Sequence, residues 1–133
     1  MPGQPLLYVP ILPVSCPYPY SEAINDLQQA LKLQNDSFCL GRLGYAYARA
    51  GRKSDAIRVL DSMKAEYTRS YLPTYHIGVV YAGLGDADQV FSWFEKACED
   101  RDPDIIMIKV EPLLDGLRAD PRFAELLRKM HLE

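Results

Sequence analysis

Apolar residues recur at intervals of three and four along most of this chain, which is the spacing that places them on one face of an α-helix. In the first clear stripe Leu40, Leu43 and Tyr47 recur, and Gly51 follows as a residue that accepts the left-handed conformation at a helix end. A second stripe continues beyond that glycine with Ala56, Leu60 and Met63. The pattern predicts a helical hairpin over residues 37–70.

The same pattern returns in the adjoining segment 71–104, which is as long as the first. Identical residues fall at the positions that shape a hairpin: Gly44 and Gly78, Tyr47 and Tyr81, Ala48 and Ala82, Gly51 and Gly85. The interval from Gly44 to Gly78 is the repeat length of the chain. A glycine inside a helix costs about 1 kcal/mol relative to alanine, so we expect Gly44 to allow the close approach of a neighbouring helix. Asp86 is placed to cap the next helix, with Gln89 as its partner in a capping box.

A helical hairpin of this length, with this order of large, small and aromatic residues, resembles the tetratricopeptide repeat (TPR). The matching positions are Leu40, Leu43, Gly44, Tyr47, Ala56, Leu60 and Met63 in the first repeat, and Ile77, Gly78, Tyr81, Phe94 and Ala97 in the second. The departures are Thr74 for the first large residue, Val90 for the small residue and, within the matched set, Met63 in place of the final alanine. The resemblance implies an all-α fold, a right-handed α-solenoid of stacked antiparallel helix hairpins, because one hairpin alone cannot bury both of its faces.

The flanking segments complete the expected domain of residues 21–133. Residues 21–36 resemble the second half of a preceding repeat, and residues 105–133 are expected to form C-terminal capping helices, the last beginning at Asp120 and Pro121. The two repeats and the end segment LRADPRFAELLRKM are also similar to the C-terminal TPR region of bacterial multidomain regulators. In that family the region follows a kinase, a cyclase or a winged-helix domain, which implies a regulatory setting.

Residues 1–20 have a different character. Six prolines forbid a helix there and predict an extended chain. The strip is also too apolar for a free linker, with Leu6, Leu7, Tyr8 and Val9 in succession. We expect it to cover the surface where the first helix of the half repeat 21–36 would otherwise pack, or to lie in the groove of a second copy and so give a homo-oligomer. A disordered tail is the alternative.

The first helix of each repeat should line the concave surface of the array. Outside its core stripe this face carries Phe38, Arg42, Tyr45, Arg49, Leu72, Tyr75, His76 and Val79. Guanidinium groups among aromatic rings suit a short peptide with an acidic group and an apolar anchor. The subtype that grips a C-terminal carboxylate with Lys and Asn is not expected, because Gly41 and Tyr45 occupy those positions. The alternative is an ordinary half-exposed helix surface.

Charge and cysteine content narrow the setting. The net charge of −3 is unevenly divided, since segment 37–70 has seven basic against three acidic residues and segment 71–104 has two against seven. Neighbouring repeats should therefore attract each other, within one chain or head to tail between chains. Three widely spaced cysteines and no CxxC pair indicate reduced thiols in the cytoplasm. No stretch reaches the ~18 apolar residues of a membrane span.

These patterns together favour a non-catalytic module for protein–protein or peptide interaction. Only His76 and His131 are histidines, and no nucleophile elbow, phosphate loop or HExxH motif occurs, so we expect no enzyme, no cofactor and no metal. Nucleic-acid binding by the basic repeat is less favoured, because an acidic repeat lies beside it. The alternative function is a regulatory or oligomerisation tail of a larger signalling or transcription protein.

Overall fold

The computed structural model describes residues 20–33, 36–69 and 74–131, and every regular element in these ranges is helical. The α-helices are α1 Tyr20–Leu33, α2 Ser37–Arg49, α3 Lys53–Arg69, α4 Tyr75–Leu84, α5 Ala87–Glu99 and α6 Pro121–Lys129. Two 3₁₀ helices, η1 Pro103–Lys109 and η2 Pro112–Leu117, lie between α5 and α6. The all-α prediction is confirmed. Of the expected N-terminal strip only Tyr20, the first residue of α1, belongs to the described part; the rest lies outside it.

The two predicted hairpins form around glycine turns. Gly51 follows α2 with φ 83° and Gly85 ends α4 with φ 79°, so both adopt the left-handed conformation expected of them. In the second hairpin the Asp86 side chain accepts a hydrogen bond from the Gln89 backbone N–H at 3.2 Å, which confirms the predicted cap. Short turns of this kind make α2–α3 and α4–α5 antiparallel neighbours.

The hairpins lie side by side, with α4 in the middle. Helix α2 packs against α1, α3 and α4, while α4 packs against α2, α3, α5 and η2. All residues from Thr74 to Val80 are buried, Tyr75 and Val79 in one core cluster and Ile77 and Val80 in another. A helix that is apolar on all sides is a buried helix, and α4 is enclosed in this way.

Glycines set the distance between α2 and α4. A Cβ atom added to Gly44 would lie 2.7 Å from Cγ2 and 2.8 Å from Cγ1 of Val80. From the opposite helix, a Cβ on Gly83 would lie 3.0 Å from the Cα of Tyr45. The close approach predicted at Gly44 is confirmed, and it depends on glycines in both helices.

The spacing of the helix starts continues into the C-terminal segment. Helices α3, α5 and α6 begin at Lys53, Ala87 and Pro121, each one repeat length after the previous one. Pro112 stands at the same interval after Gly78, and proline interrupts an α-helix because it lacks the N–H donor and clashes with the preceding turn. Before α6, the two short 3₁₀ helices η1 and η2 therefore take the place that the single helices α2 and α4 have before α3 and α5.

Replacing Gly44 with alanine should lower the free energy of unfolding by about 1–3 kcal/mol, because the new methyl group would overlap both Cγ atoms of Val80. Gly116 provides the matched control: a Cβ there meets nothing within 4 Å, and the residue is not among those with positive φ. Gly116→Ala should therefore leave stability unchanged or raise it by up to ~1 kcal/mol. Urea unfolding measures both changes. Equal free energies of unfolding for the two variants would contradict the close approach of α2 to α4.

Candidate functional site

The face predicted to bind a peptide lies mostly inside the molecule. The exposed fractions are 2% for Tyr45, 0% for Tyr75, 3% for His76 and 1% for Val79. Side chains buried to this extent cannot contact a second protein, so the expectation that these four line an open groove is wrong. Leu72, the fifth residue of that face, lies outside the described residues.

Three residues of the predicted face keep part of their surface. Phe38, Arg42 and Arg49 are half-buried on α2. The Arg42 guanidinium carbon lies 4.3 Å from the centroid of the Phe38 ring, and that of Arg49 lies 5.9 Å from the centroid of Tyr45. These are cation–π distances. Burial raises the pKa of the Tyr45 hydroxyl to about 12, so this ring is neutral. A binding role for the three half-buried residues stays a prediction.

Two buried carboxylates hold the C-terminal segment against this face. Glu111 accepts a hydrogen bond from Nη2 of Arg42 at 2.7 Å, and Asp102 accepts one from the backbone N–H of Tyr75 at 3.1 Å. With its other oxygen, each acid accepts the backbone N–H two residues further on, at 2.9 Å for Asp102 and 3.3 Å for Glu111. Each carboxylate therefore caps its own 3₁₀ helix and at the same time binds a residue of α2 or α4.

A histidine–carboxylate pair lies beside these contacts. Nε2 of His76 is 2.8 Å from Oδ2 of Asp104, and the imidazole packs edge-on against the rings of Phe38 and Tyr75 at 5.8 and 5.1 Å. Burial lowers the pKa of His76 below its ordinary 6.5, with Arg42 acting in the same direction, while the neighbouring aspartates counteract the shift only in part. The ring is accordingly neutral near pH 7.

The sequence contains a local signal for the helix starts at these two carboxylates. Acid–proline dipeptides occur at 102–103, 111–112 and 120–121, and each one begins a helix. A carboxylate at the N-cap followed by proline at the first helical position is a strong start signal. The third dipeptide predicts the start of α6 at Asp120 and Pro121, and the first two carry the same signal. That the first two also reach α2 and α4 depends on tertiary packing, which the dipeptides do not encode.

The C-terminal segment is part of the core rather than a displaceable lid. Its side chains Ile105, Ile108, Leu113 and Leu114 are exposed by only 6, 0, 5 and 0% and belong to the main core cluster. Burying one such side chain contributes about 1.5–3 kcal/mol, so the four contribute roughly 6–12 kcal/mol. Whole domains are stable by about 5–15 kcal/mol. Removing the segment would therefore unfold the domain, and the four buried residues of the predicted face are not available to a partner in the folded protein.

An open groove lies on another side, between α3 and the turn that joins α4 to α5. Its volume is ≈ 350 Å³. The lining side chains are Lys53, Ile57, Leu60, Asp61, Lys64, Tyr81, Leu84 and Asp86. The sequence pattern places Leu60 and Tyr81 on inward stripes and does not predict the groove, because residues from two hairpins form it only when the hairpins lie side by side.

The groove has an apolar floor and an ordered basic end. Leu60 is 3% exposed, whereas Ile57 is 44% exposed at the groove surface. Nζ of Lys64 donates a hydrogen bond to the Tyr81 hydroxyl and lies 5.8 Å from the centroid of the Trp93 ring. These contacts fix the ammonium group at one end of the groove.

The described residues contain neither a metal-binding cluster nor a membrane-spanning helix. In the described ranges, no group of three or more His, Cys, Asp or Glu side chains is arranged to hold a metal ion. The described helices include none that is long and apolar enough to cross a membrane. Cys39 and Cys98 are free thiols.

Comparisons with protein-family models, with curated proteins and with solved structures gave no match to this chain.

Replacing Arg42 with methionine should lower the free energy of unfolding by about 3–5 kcal/mol, because the Glu111 carboxylate would lose its cation while its side chain is 2% exposed. The matched control is Arg52→Met, which removes a pair with Asp55 on the surface and should cost no more than ~1 kcal/mol. Chemical unfolding at pH 7 measures both losses. Equal losses would show that the buried pair does not anchor the C-terminal segment.

The buried His76 should make stability depend on pH. Because its folded pKa is lowered, the unfolded chain binds more protons, and stability should fall as the pH drops below about 6.5. His76→Gln should lose this part of the pH dependence when unfolding is measured at pH 8.0, 7.0, 6.0 and 5.5. The control is His131→Asn, at an exposed residue with φ 59° that asparagine tolerates. If His76→Gln kept the pH dependence of the wild type, His76 would not be the source of this dependence.

Proposed function

We propose that this chain is a short TPR-type α-solenoid that binds a segment of another protein and catalyses no reaction. The observation that carries the proposal is the repetition of one hairpin plan. The turns of α2–α3 and α4–α5 contain left-handed glycines, Gly51 and Gly85, that are one repeat length apart, and the starts of α3 and α5 are separated by the same interval. The hairpins then pack side by side through Gly44 and Gly83. Stacked hairpins present extended surfaces, which suit protein recognition.

The state of the polar side chains supports a non-catalytic role. Both oxygens of Asp102 and of Glu111 are engaged, as helix caps and as anchors of the C-terminal segment. The His76–Asp104 pair resembles half of a catalytic arrangement, but the imidazole is 3% exposed and packed among aromatic rings. A general base must come within hydrogen-bond reach of a substrate, and a substrate has no access to this ring.

The groove between α3 and the α4–α5 turn is the surface best suited to a partner. Unlike the predicted concave face, it is open, and it combines an apolar floor with ionisable side chains. Binding sites of this composition obtain affinity from the apolar part and orientation from a few polar groups. The free thiols Cys39 and Cys98 suit a reducing compartment such as the cytoplasm. The likeness of the C-terminal region to bacterial regulators makes a regulatory role the natural setting.

Selection of a random linear peptide library displayed on phage, against the immobilised full chain, tests the proposal. We expect one enriched peptide family, because a preformed groove favours one pattern of anchors. Synthetic peptides from that family should bind the chain in solution by fluorescence anisotropy. A chain denatured by urea and tested in parallel should bind none of them. Absence of any enriched family, or peptides that bind the denatured chain equally well, would count against a peptide-binding module.

A further inference from the structure

The geometry of the groove between α3 and the α4–α5 turn points to a specific partner chemistry. We infer that it binds a protein segment with a central pair of aliphatic side chains flanked by acidic residues on both sides. This inference rests on the proposed protein-binding function and gives it a surface and a class of partner.

The order of side chains along α3 defines the register of the bound segment. Lys53 and Lys64 stand at the two ends of the groove stripe, and Ile57 and Leu60 lie between them. The two lysines are separated by three helical turns, about 16 Å at 1.5 Å per residue. An extended peptide covers this length with about five residues. Acidic residues at both ends of such a peptide can face the lysines while its centre faces the apolar floor.

The apolar centre of the groove is accessible. Ile57 is 44% exposed on the groove surface, while Leu60 and Leu84 below it are buried or partly buried. Covering a half-exposed isoleucine with aliphatic side chains removes apolar surface from water, which is the main favourable term in association. Polar residues at the centre of the bound segment would leave the apolar surface of Ile57 in contact with water.

The charges of the groove select an acidic partner. Lys53 forms no ion pair with another described residue, and Lys64 donates its hydrogen bond to the Tyr81 hydroxyl rather than to a carboxylate. Two carboxylates also line the groove. Asp86 accepts the backbone N–H of Gln89 at the start of α5, where the helix dipole offsets part of its charge, and Asp61 would repel acids at the centre. The partner's acids therefore belong at the ends and its aliphatic residues in the middle.

The surface around the start of α3 has the same sign as the two lysines. Around the first end of α3, Arg52 and Arg58 share the single carboxylate of Asp55, at 2.8 and 3.6 Å. A basic surface raises the rate at which an acidic partner associates and disfavours a basic one.

A peptide fits the groove better than a small anionic molecule does. The volume of ≈ 350 Å³ is at the lower end of the range for ligand sites, roughly 300–1,000 Å³. Small-molecule sites bury most of the ligand surface, whereas Ile57 is open to solvent on this side. A pair of side chains from a longer segment can use such a site while its flanking residues stay in water.

The probe for the test is a fluorescein-labelled octapeptide with two central leucines and three aspartates on each side. Its anisotropy is titrated with the full chain at two salt concentrations. We expect saturable binding that weakens as salt increases, because the contributing charges are exposed. Two comparison peptides, one with lysines in place of the aspartates and one with serines in place of the leucines, should bind at least about tenfold more weakly.

Two groove variants locate the binding. Ile57→Ser and Lys53→Glu should each weaken binding of the octapeptide by about tenfold. The matched controls lie on η1, where Ile106 is 61% exposed and Lys109 is also exposed. Ile106→Ser and Lys109→Glu should change the affinity by less than about twofold. All four positions are on the surface, so the variants should keep the fold.

The outcomes separate this inference from the proposed function. Equal affinity of the groove variants and the wild type, or preference for the lysine-flanked peptide, overturns the inference. Failure of the octapeptide together with binding of phage-selected peptides elsewhere also overturns it, while the protein-binding function stands. If neither the octapeptide nor any selected peptide binds, both proposals fail.

Discussion

The approach of α2 to α4 is the constraint on which the rest of the structure depends. The two helices contact through Gly44 on one side and Gly83 on the other, at positions where a Cβ atom would overlap Val80 or crowd the backbone of Tyr45. Interhelical distances are set by the side chains at the contact. With glycine there, the hairpins approach closely enough to enclose α4 between α2, α3 and α5.

Enclosing α4 buries polar groups that need hydrogen-bond partners, and the C-terminal segment supplies these partners. The first residues of α4 are Tyr75 and His76, and a backbone N–H or an imidazole that is buried without a partner costs free energy. Asp102 accepts the Tyr75 N–H and Asp104 contacts the His76 ring. The apolar side chains of η1 and η2 then close the core. The C-terminal segment is therefore required for the burial of α4.

Much of the fold could be predicted from sequence because its signals are local. The turns at Gly51 and Gly85 and the caps at Asp86 and Asp120 depend on a few neighbouring residues, and the structure has all four. The accessible face of α4 could not be predicted in this way. Its apolar pattern is compatible with an open groove until η1 and η2 are placed, and their position depends on pairing between residues far apart in sequence.

The same distinction explains why the open groove, and not the predicted concave face, is the candidate site. Residues of one helix can be assigned to a face from their spacing, but a groove needs two elements at a known distance. The surface between α3 and the α4–α5 turn exists because the glycine contact fixes how far apart the hairpins lie. The proposed partner recognition therefore uses a groove that helix packing creates, and not the predicted concave face.

The contact between Gly44 and Val80 can be measured directly in solution. In a nuclear Overhauser spectrum of the methyl-labelled chain, the α-protons of Gly44 should give strong cross-peaks to both Val80 methyl groups, because these methyls fill the space that a Cβ would need. Absence of these cross-peaks in a folded, fully assigned sample would contradict the packing of α2 on α4 and the account built on it.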